Sequence, residues 1–213
     1  MFHPKVLNRD QEEIVKQLKL PEEGGFYLAG GTALSLQIGH RTSIDFDFYT
    51  QKHFDSLRLA GNLNKTLSLL EIEFQAEDTL RLKVGKTELS FFYYDYPLIG
   101  KLRSYQALKL ASLEDIGAMK ISAIVQRGTK RDFIDIFYLL KKFKLDELIK
   151  FNIKKYPGQQ KLILLKALIY FKDAEEERYK RPLKVFDTDF SWERAKEKIF
   201  EEVKKYQLAM FKK

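Results

Sequence analysis

Residues 28–49 read LAGGTALSLQIGHRTSIDFDFY: a Gly-Gly turn opens a short apolar helix, and a strand carrying Asp45 and Asp47 follows. Alternate side chains of a strand share a face, so the spacing predicts that Asp45 and Asp47 project together, with Ile44, Phe46 and Phe48 on the apolar side. Glycines permit close backbone approach at a helix N-terminus, where unpaired N–H groups and the helix dipole favour phosphate. Two carboxylates beside such a turn suit Mg²⁺, which is held by one or two carboxylates together with substrate phosphates. Each half alone has an ordinary reading, Gly-Gly as turn chemistry and Asp-x-Asp as a solvated strand face. Their order along one short stretch points to a metal–triphosphate site.

A second block, residues 115–140, reads DIGAMKISAIVQRGTKRDFIDIFYLL. On a helix Lys120 and Arg127 are two turns apart and share a face, while Ile116, Met119, Ala123 and Ile124 pack inward. Gly128-Thr129 ends that helix and Thr129 can cap the next, with Asp132 completing a capping-box pattern. Phe133, Ile136, Phe137 and Leu140 are spaced as a core stripe, which leaves Asp135 on a solvated face. Lys120 lies in the most apolar part of its helix, where a buried ammonium needs a partner, and either Asp132 or a triphosphate would serve.

Taken together, Gly30-Gly31-Thr32, Gly39-His40-Arg41, Ser43-x-Asp45-x-Asp47 and the later Lys120, Arg127, Arg131-Asp132 and Asp135 resemble the nucleotidyltransferase superfamily. Within it, the likeness is to the AbiEii/AbiGii group of type IV abortive-infection toxins. The resemblance implies an α+β fold with an α/β-like core: a nucleotidyltransferase-type mixed sheet with flanking helices, followed by a C-terminal helical region. It implies transfer of a nucleoside monophosphate from a nucleoside triphosphate to an acceptor, with loss of pyrophosphate. Asp45 and Asp47 would hold the metal, Gly30, Gly31 and Thr32 with Ser43 and Arg127 would bind the triphosphate, and Lys120 would neutralise phosphate charge. Asp132 would orient Lys120 or assist deprotonation of the acceptor. A third metal carboxylate is expected on a later strand. In TELSFFYYDYP, Glu88, Ser90 and Phe92 share a face, Ser90 stands where an Asp might be expected, and Glu88 is the candidate ligand; Asp95 falls on the opposite face. The implied partners are an RNA acceptor such as tRNA and a cognate antitoxin.

The 213 residues, 45% of them hydrophobic, suffice for one large domain or a catalytic domain with a helical appendage. No run reaches the roughly 18 apolar residues of a membrane span, and Met1-Phe2-His3-Pro4 is no signal peptide, so no membrane partner and a cytoplasmic location are expected. Zero cysteines exclude disulfides and Cys-based zinc sites, and His3, His40 and His53 lack ligand spacing, so a metal site must be built from oxygen, which favours Mg²⁺ or Mn²⁺. Lys plus Arg outnumber Asp plus Glu by 38 to 30, a formal charge of +8 that attracts polyanions or simply solubilises. From Lys141 onward basic residues recur beside Tyr and Phe in LLKKFK, NIKKY, RYKRPLK and VKKYQLAMFKK, a pattern able to track an RNA backbone, although no RNA-binding sequence motif is present.

The organisation divides at a change of class, with residues 1–111 as a nucleotidyltransferase-like α/β domain and 112–213 as a helical domain contributing Lys and Asp to the site. Helices are expected over 9–20, 32–38 and 54–70, and strands over 26–29 and 43–50 and at IEFQA, LRLKV and TELSFFYY, the last two joined by a Gly85-Lys86 hairpin. Pro157-Gly158 and Arg181-Pro182 mark breaks in the helical half, and Ser191 caps a helix whose Trp192, Ala195, Ile199, Val203 and Tyr206 form a core stripe. Two other function classes stay open. One is nucleotidyl transfer to a small molecule such as an antibiotic; the other is a non-catalytic RNA-binding protein, against which the presence of both Asp45 and Asp47 beside Lys120 speaks.

Overall fold

The first helix, α1 (Arg9–Gln17), starts at a reciprocal cap: the Gln11 backbone N–H donates to the Asn8 side chain at 2.9 Å and the Asn8 N–H donates to Gln11 Oε1 at 3.0 Å. It ends at Gln17, short of the 9–20 span. In this computed structural model, which describes residues 1–68, 70–176 and 183–211, the chain then enters β1 (Tyr27–Ala29) and passes without a loop into α2 (Gly30–Ile38). Gly39, left-handed at φ +68, ends α2, and β2 (Phe46–Thr50) follows. The next helix, α3 (Ser56–Leu63), is half as long as the 54–70 expectation: Leu70 already opens β3 (Leu70–Ala76), which pairs with β4 (Thr79–Val84). Apolar residues recur through 54–70 at a spacing that suits a helix, and strand pairing takes the end of that run. β4 turns through Gly85, at φ +60, into β5 (Thr87–Tyr93), as the hairpin signal indicates. Two three-residue strands, β6 (Arg103–Tyr105) and β7 (Leu108–Leu110), complete the sheet.

Among the described residues seven strands form one mixed sheet in the order β3-β4-β5-β2-β1-β7-β6. β2–β5 and β1–β7 are parallel pairs and the other neighbours are antiparallel. Strand alternation sorts the two faces. Phe46, Phe48, Leu80, Leu82, Leu89 and Phe91 are buried, as are Leu34, Leu36, Leu59 and Leu63 of α2 and α3, which pack on these strands. Phe48 stacks on Phe91 at 4.9 Å and 10°. The opposite face carries Asp47 and Tyr49 from β2 and Ser90 and Phe92 from β5. These elements make up one compact unit, Met1–Ser112.

The regular elements described in the second unit, Leu113–Lys213, are helices: α4 (Leu113–Gln126), α5 (Lys130–Leu139), α6 (Leu145–Lys155), α7 (Lys161–Leu168), α8 (Lys172–Glu175) and α9 (Trp192–Phe211), with residues 183–191 non-helical. α4 and α6 approach closely at Gly117, where a Cβ would meet Leu148 Cδ2 at 2.9 Å. Asn152 Nδ2 donates to the Ala118 carbonyl at 2.9 Å, and Lys155 Nζ pairs with Asp115 at 2.8 Å with both side chains fully buried. Trp192 meets Phe133 and Phe171 edge-on, each at 6.0 Å, and Ala195, Ile199 and Val203 are buried, so the stripe of α9 is a packing stripe. Pro157-Gly158 separates α6 from α7, with Gly158 at φ +97, whereas Arg181-Pro182 lies outside the described residues. No helix among the described residues is long and apolar enough to cross a membrane.

The burial of Lys155 removes it from the basic run NIKKY as a surface charge. Removing one partner of a buried ion pair leaves the other charge uncompensated, so Lys155→Ala is expected to cost about 3–5 kcal/mol. Lys154→Ala, on the exposed side of the same turn, is expected to stay within about 0.5 kcal/mol of the parent. Urea midpoints of the two variants check this, and equal midpoints would contradict it.

Candidate active site

Ala29, the last residue of β1, lies directly across the ladder from Asp47. The next residue, Gly30, adopts φ +65, a region that costs an L side chain about 1–2 kcal/mol, and a Cβ built there would stand 2.7 Å from Asp47 Oδ2. One glycine therefore does two things: it turns the strand into a helix at once, and it leaves the space that the Asp47 carboxylate occupies. At Gly31 a Cβ would meet Arg41 Nη2 at 2.6 Å and Ser43 Oγ at 2.9 Å. The N-cap position, Ala29, offers no side-chain cap, so the opening turn of α2 has no side-chain acceptor from its own N-cap.

The connection between α2 and β2 is irregular up to Asp45. Strand pairing begins at Phe46, so the 43–50 expectation is three residues too long, and Ile44 lies outside the strand instead of on its apolar face. Side chains hold this segment through its carbonyls. Gln11 Nε2 donates to Ser43 O at 2.8 Å and Ile44 O at 3.0 Å, the Thr32 hydroxyl donates to Asp45 O, and the buried Arg41 donates from Nη1 to Thr42 O at 2.8 Å. Thr32 thus enters the site as a clamp on the Asp45 backbone, with its hydroxyl proton already committed. Gln11 is a participant that sequence reasoning missed. The Asn8-x-x-Gln11 spacing signals its cap, but the amide of the same side chain reaches a segment 32 residues away.

On β5 the residue across from Asp47 is Ser90, 7% exposed, while Glu88 lies across from Lys83 of β4. Among the described residues no three acidic or histidine side chains gather as a metal-binding group, so Asp45, Asp47 and Glu88 do not form a three-carboxylate cluster. The register supplies the reason: it sets a hydroxyl, not a carboxylate, beside Asp47. Asp45 precedes β2, so strand alternation does not set its side chain beside that of Asp47 as the spacing predicts; the Asp47 carboxylate stands against the glycine turn, and Asp45 is tied to the same turn through its carbonyl. Oxygen donors of this kind would fit Mg²⁺ or Mn²⁺ together with substrate phosphates.

In the helical unit Lys120 bridges two carboxylates, Asp132 at 2.9 Å and Asp135 at 2.7 Å, both essentially inaccessible. Arg127, its side chain 61% exposed, reaches Asp132 through Nε at 3.1 Å, and the Thr129 hydroxyl donates to the same carboxylate at 2.7 Å. Thr129 makes no side-chain cap of its own; Asp132 gathers its donors instead. Asp135 is not on a solvated face. Every residue from Asp132 to Leu139 is buried, so α5 has no wet side there, and Lys120 supplies the countercharge. Burial would push the Asp132 carboxyl up, but the Lys120 ammonium and the Arg127 guanidinium, with hydrogen bonds from Arg127 and Thr129, outweigh it and hold the group at about 2.

Lys120→Ala strands two buried carboxylates and is expected to cost about 3–5 kcal/mol, whereas Arg127→Ala, at a largely solvated position, should cost under about 1 kcal/mol. Because the Asp132 pKa is depressed, its stabilisation is fully present above the ordinary value of 3.8 and is lost as pH falls towards about 2. Denaturant titrations between pH 5 and pH 2 should therefore show a fall in stability that is shallower in Asp132→Asn; parallel curves would contradict the assignment.

The profile of the nucleotidyl transferase AbiEii toxins of type IV toxin–antitoxin systems matches residues 16–97 and 54–206. An uncharacterised protein of Aquifex aeolicus strain VF5 is 39% identical over 208 residues, 95% of this chain and 98% of that one. Among solved structures, a candidate nucleotidyltransferase from H. pylori aligns with a TM-score of 0.62 at 18% identity over 96% of this chain and 94% of its own. MenT4, a nucleotidyltransferase toxin of Mycobacterium tuberculosis H37Rv, aligns at 0.51 and 14% identity over 91% of this chain and 81% of its own. At these identities the structural likeness is one of fold, and it extends to the mixed sheet and its flanking helices. Matched by the family profile over most of its length, the chain belongs to the AbiEii nucleotidyl transferase toxins.

Proposed function

We propose that this nucleotidyltransferase moves a nucleoside monophosphate from a nucleoside triphosphate to an RNA acceptor in a metal-dependent reaction, as the toxin of a toxin–antitoxin pair. The observation that carries the reading is the Gly30 turn, which sets the Asp47 carboxylate beside the first turn of α2. The backbone of Gly30, Gly31 and Thr32 faces the pyrophosphate portion of the donor, and Ser43 lies against Gly31 on the same side. Asp45 and Asp47 hold Mg²⁺ or Mn²⁺, which when bound supplies the positive charge that phosphoryl-type displacement requires. The acceptor hydroxyl oxygen bonds to the α-phosphorus, the bond from that phosphorus to the bridging oxygen of pyrophosphate breaks with its electron pair, and the hydroxyl proton leaves to solvent. Asp132, held at about 2, is a poor proton acceptor at neutral pH, which favours the orienting role over the deprotonating one.

An RNA acceptor is supported by the formal charge of +8 and by exposed lysines of the helical unit such as Lys142, Lys144, Lys154 and Lys204. The test is incubation with each α-labelled triphosphate, Mg²⁺ and total cellular RNA, with parent, Asp45→Asn and Asp47→Asn. Label should enter RNA with the parent and fall by about 10²-fold or more in each variant, at unchanged thermal midpoints. Full transfer by both variants would remove the metal assignment, and label confined to small molecules would replace RNA as the acceptor.

A further inference from the structure

The carboxylate face of the sheet continues beyond Asp47 as a row of aromatic rings. Tyr49 is two residues further along β2 and shares the face of Asp47. Its ring lies 5.7 Å from Phe92, its partner across the β2–β5 ladder, and 6.2 Å from Tyr27, its partner on β1. It lies 5.0 Å from Tyr94, whose N–H donates to Thr50 O at 2.8 Å and so carries the pairing past the end of β5. Tyr94 in turn meets Tyr96 at 4.9 Å, where the row reaches solvent with Tyr96 40% exposed. The other face of the same strands, where only packing is required, uses Phe46, Phe48, Leu89 and Phe91, all fully buried or nearly so. On the carboxylate face Tyr49 and Tyr94 are half-buried and Tyr96 is exposed, and their ring faces and hydroxyls together suit a partly wet partner; the half-buried tyrosine of the other face, Tyr93, stacks on His53 at 4.2 Å.

Stereochemistry says which substrate these rings meet. In-line displacement puts the attacking oxygen and the leaving pyrophosphate on opposite sides of the α-phosphorus. β1 runs antiparallel to β2 with Tyr27 across from Tyr49 and Ala29 across from Asp47, so the glycine turn lies at the Phe46 end of β2 and Tyr49 on the other side of Asp47; with pyrophosphate at the turn, the attacking hydroxyl arrives from the Tyr49 end. The spacing from Asp47 to Tyr49 is about 7 Å along the strand. Arg81 of β4, exposed and across from Ser90, lies on the same face, where it can meet a phosphodiester backbone.

We infer that Tyr49, Phe92, Tyr94 and Tyr96 form a stacking platform for the terminal bases of a single-stranded nucleic acid whose 3′-terminal hydroxyl accepts the nucleotide. This rests on the nucleotidyl-transfer reading above. The covalent step is unchanged: the 3′-oxygen bonds to the α-phosphorus, pyrophosphate departs, and the hydroxyl proton goes to water. Stacking supplies affinity for any base, because every base has a π-face. The platform therefore selects for an unpaired end and not for a sequence.

The probe is a fluorescein-labelled six-nucleotide RNA with a free 3′-hydroxyl, alongside the same RNA with abasic riboses at its last two positions. Binding is read by anisotropy with Mg²⁺ for the parent, Tyr49→Leu, Tyr94→Leu and Tyr96→Ala, together with affinity for a non-hydrolysable triphosphate and thermal midpoint. Intact RNA should bind each variant about tenfold more weakly than the parent, as expected for loss of one stacked base, with triphosphate affinity unchanged. The abasic RNA should bind the parent as weakly as intact RNA binds the variants. Tyr96→Ala, at the exposed end, keeps the test open should Tyr49→Leu not fold. Unchanged RNA affinity in the folded variants would overturn the platform, and triphosphate affinity falling in step would reassign the rings to the donor base. Pyrophosphate release by the parent, measured alongside, separates the two readings: its absence sinks nucleotidyl transfer itself, whereas release with unaltered RNA binding sinks only the platform.

Discussion

The left-handed turn at Gly30 is the constraint on which the rest of the sheet unit depends. Because β1 becomes α2 without an intervening residue, the helix N-terminus is fixed next to the ladder, and Asp47, across from Ala29, is drawn against it. A side chain at position 30 would carry the strain of φ +65 and would also collide with the Asp47 carboxylate. The segment that returns from α2 to β2 then has to pass close to the same turn. It does so with its carbonyls at 42, 43, 44 and 45 each accepting from a side chain: Arg41, Gln11, Gln11 again and Thr32. A donor from α1, one from α2 and one from the segment itself thus set where Asp45 begins.

The helical unit uses a different device. Lys120 between Asp132 and Asp135 ties α4 to α5, and Lys155 with Asp115 ties α6 to α4. Such pairs add little net stability over well-packed apolar residues, because taking charges out of water costs about as much as their attraction returns. Their effect is on arrangement: a slipped helix would strand a charge. Gly117 and Asn152 act at the same α4–α6 contact, one by allowing close approach and the other by pairing with the Ala118 carbonyl. Arg127 contributes its charge to Asp132 from a solvated position, so its loss should be felt far less than that of Lys120.

What could be read from the sequence followed from short-range rules. The glycine turn before an apolar helix, the Gly85 hairpin and the packing stripe of α9 are all local patterns, and all are present. What could not be read depends on distant partners. β6 and β7 are three residues each, too short for alternation to register, and exist because β7 finds β1. The burial of Asp135 follows from α5 being enclosed on all sides, whereas its own periodicity suggests a wet face. Lys155 looks like one more surface lysine until α4 places Asp115 against it. At the candidate site the pairing of Asp47 with Ser90 fixes the position of Glu88 two residues back, and that register depends on strand closure instead of composition.

The central claim is that Gly30 and Asp47 together form the triphosphate site, and calorimetric titration of a non-hydrolysable triphosphate with Mg²⁺ into Gly30→Ala tests it most directly. Gly85→Ala is the control, since Gly85 has nearly the same positive φ, +60, and nothing within 4 Å of its would-be Cβ. Both variants should lose about 1 kcal/mol or more of stability from backbone strain. Only Gly30→Ala should bind the triphosphate at least tenfold more weakly than the parent. Equal affinity in Gly30→Ala and the parent, with the variant folded, would contradict the claim and move the nucleotide away from this turn.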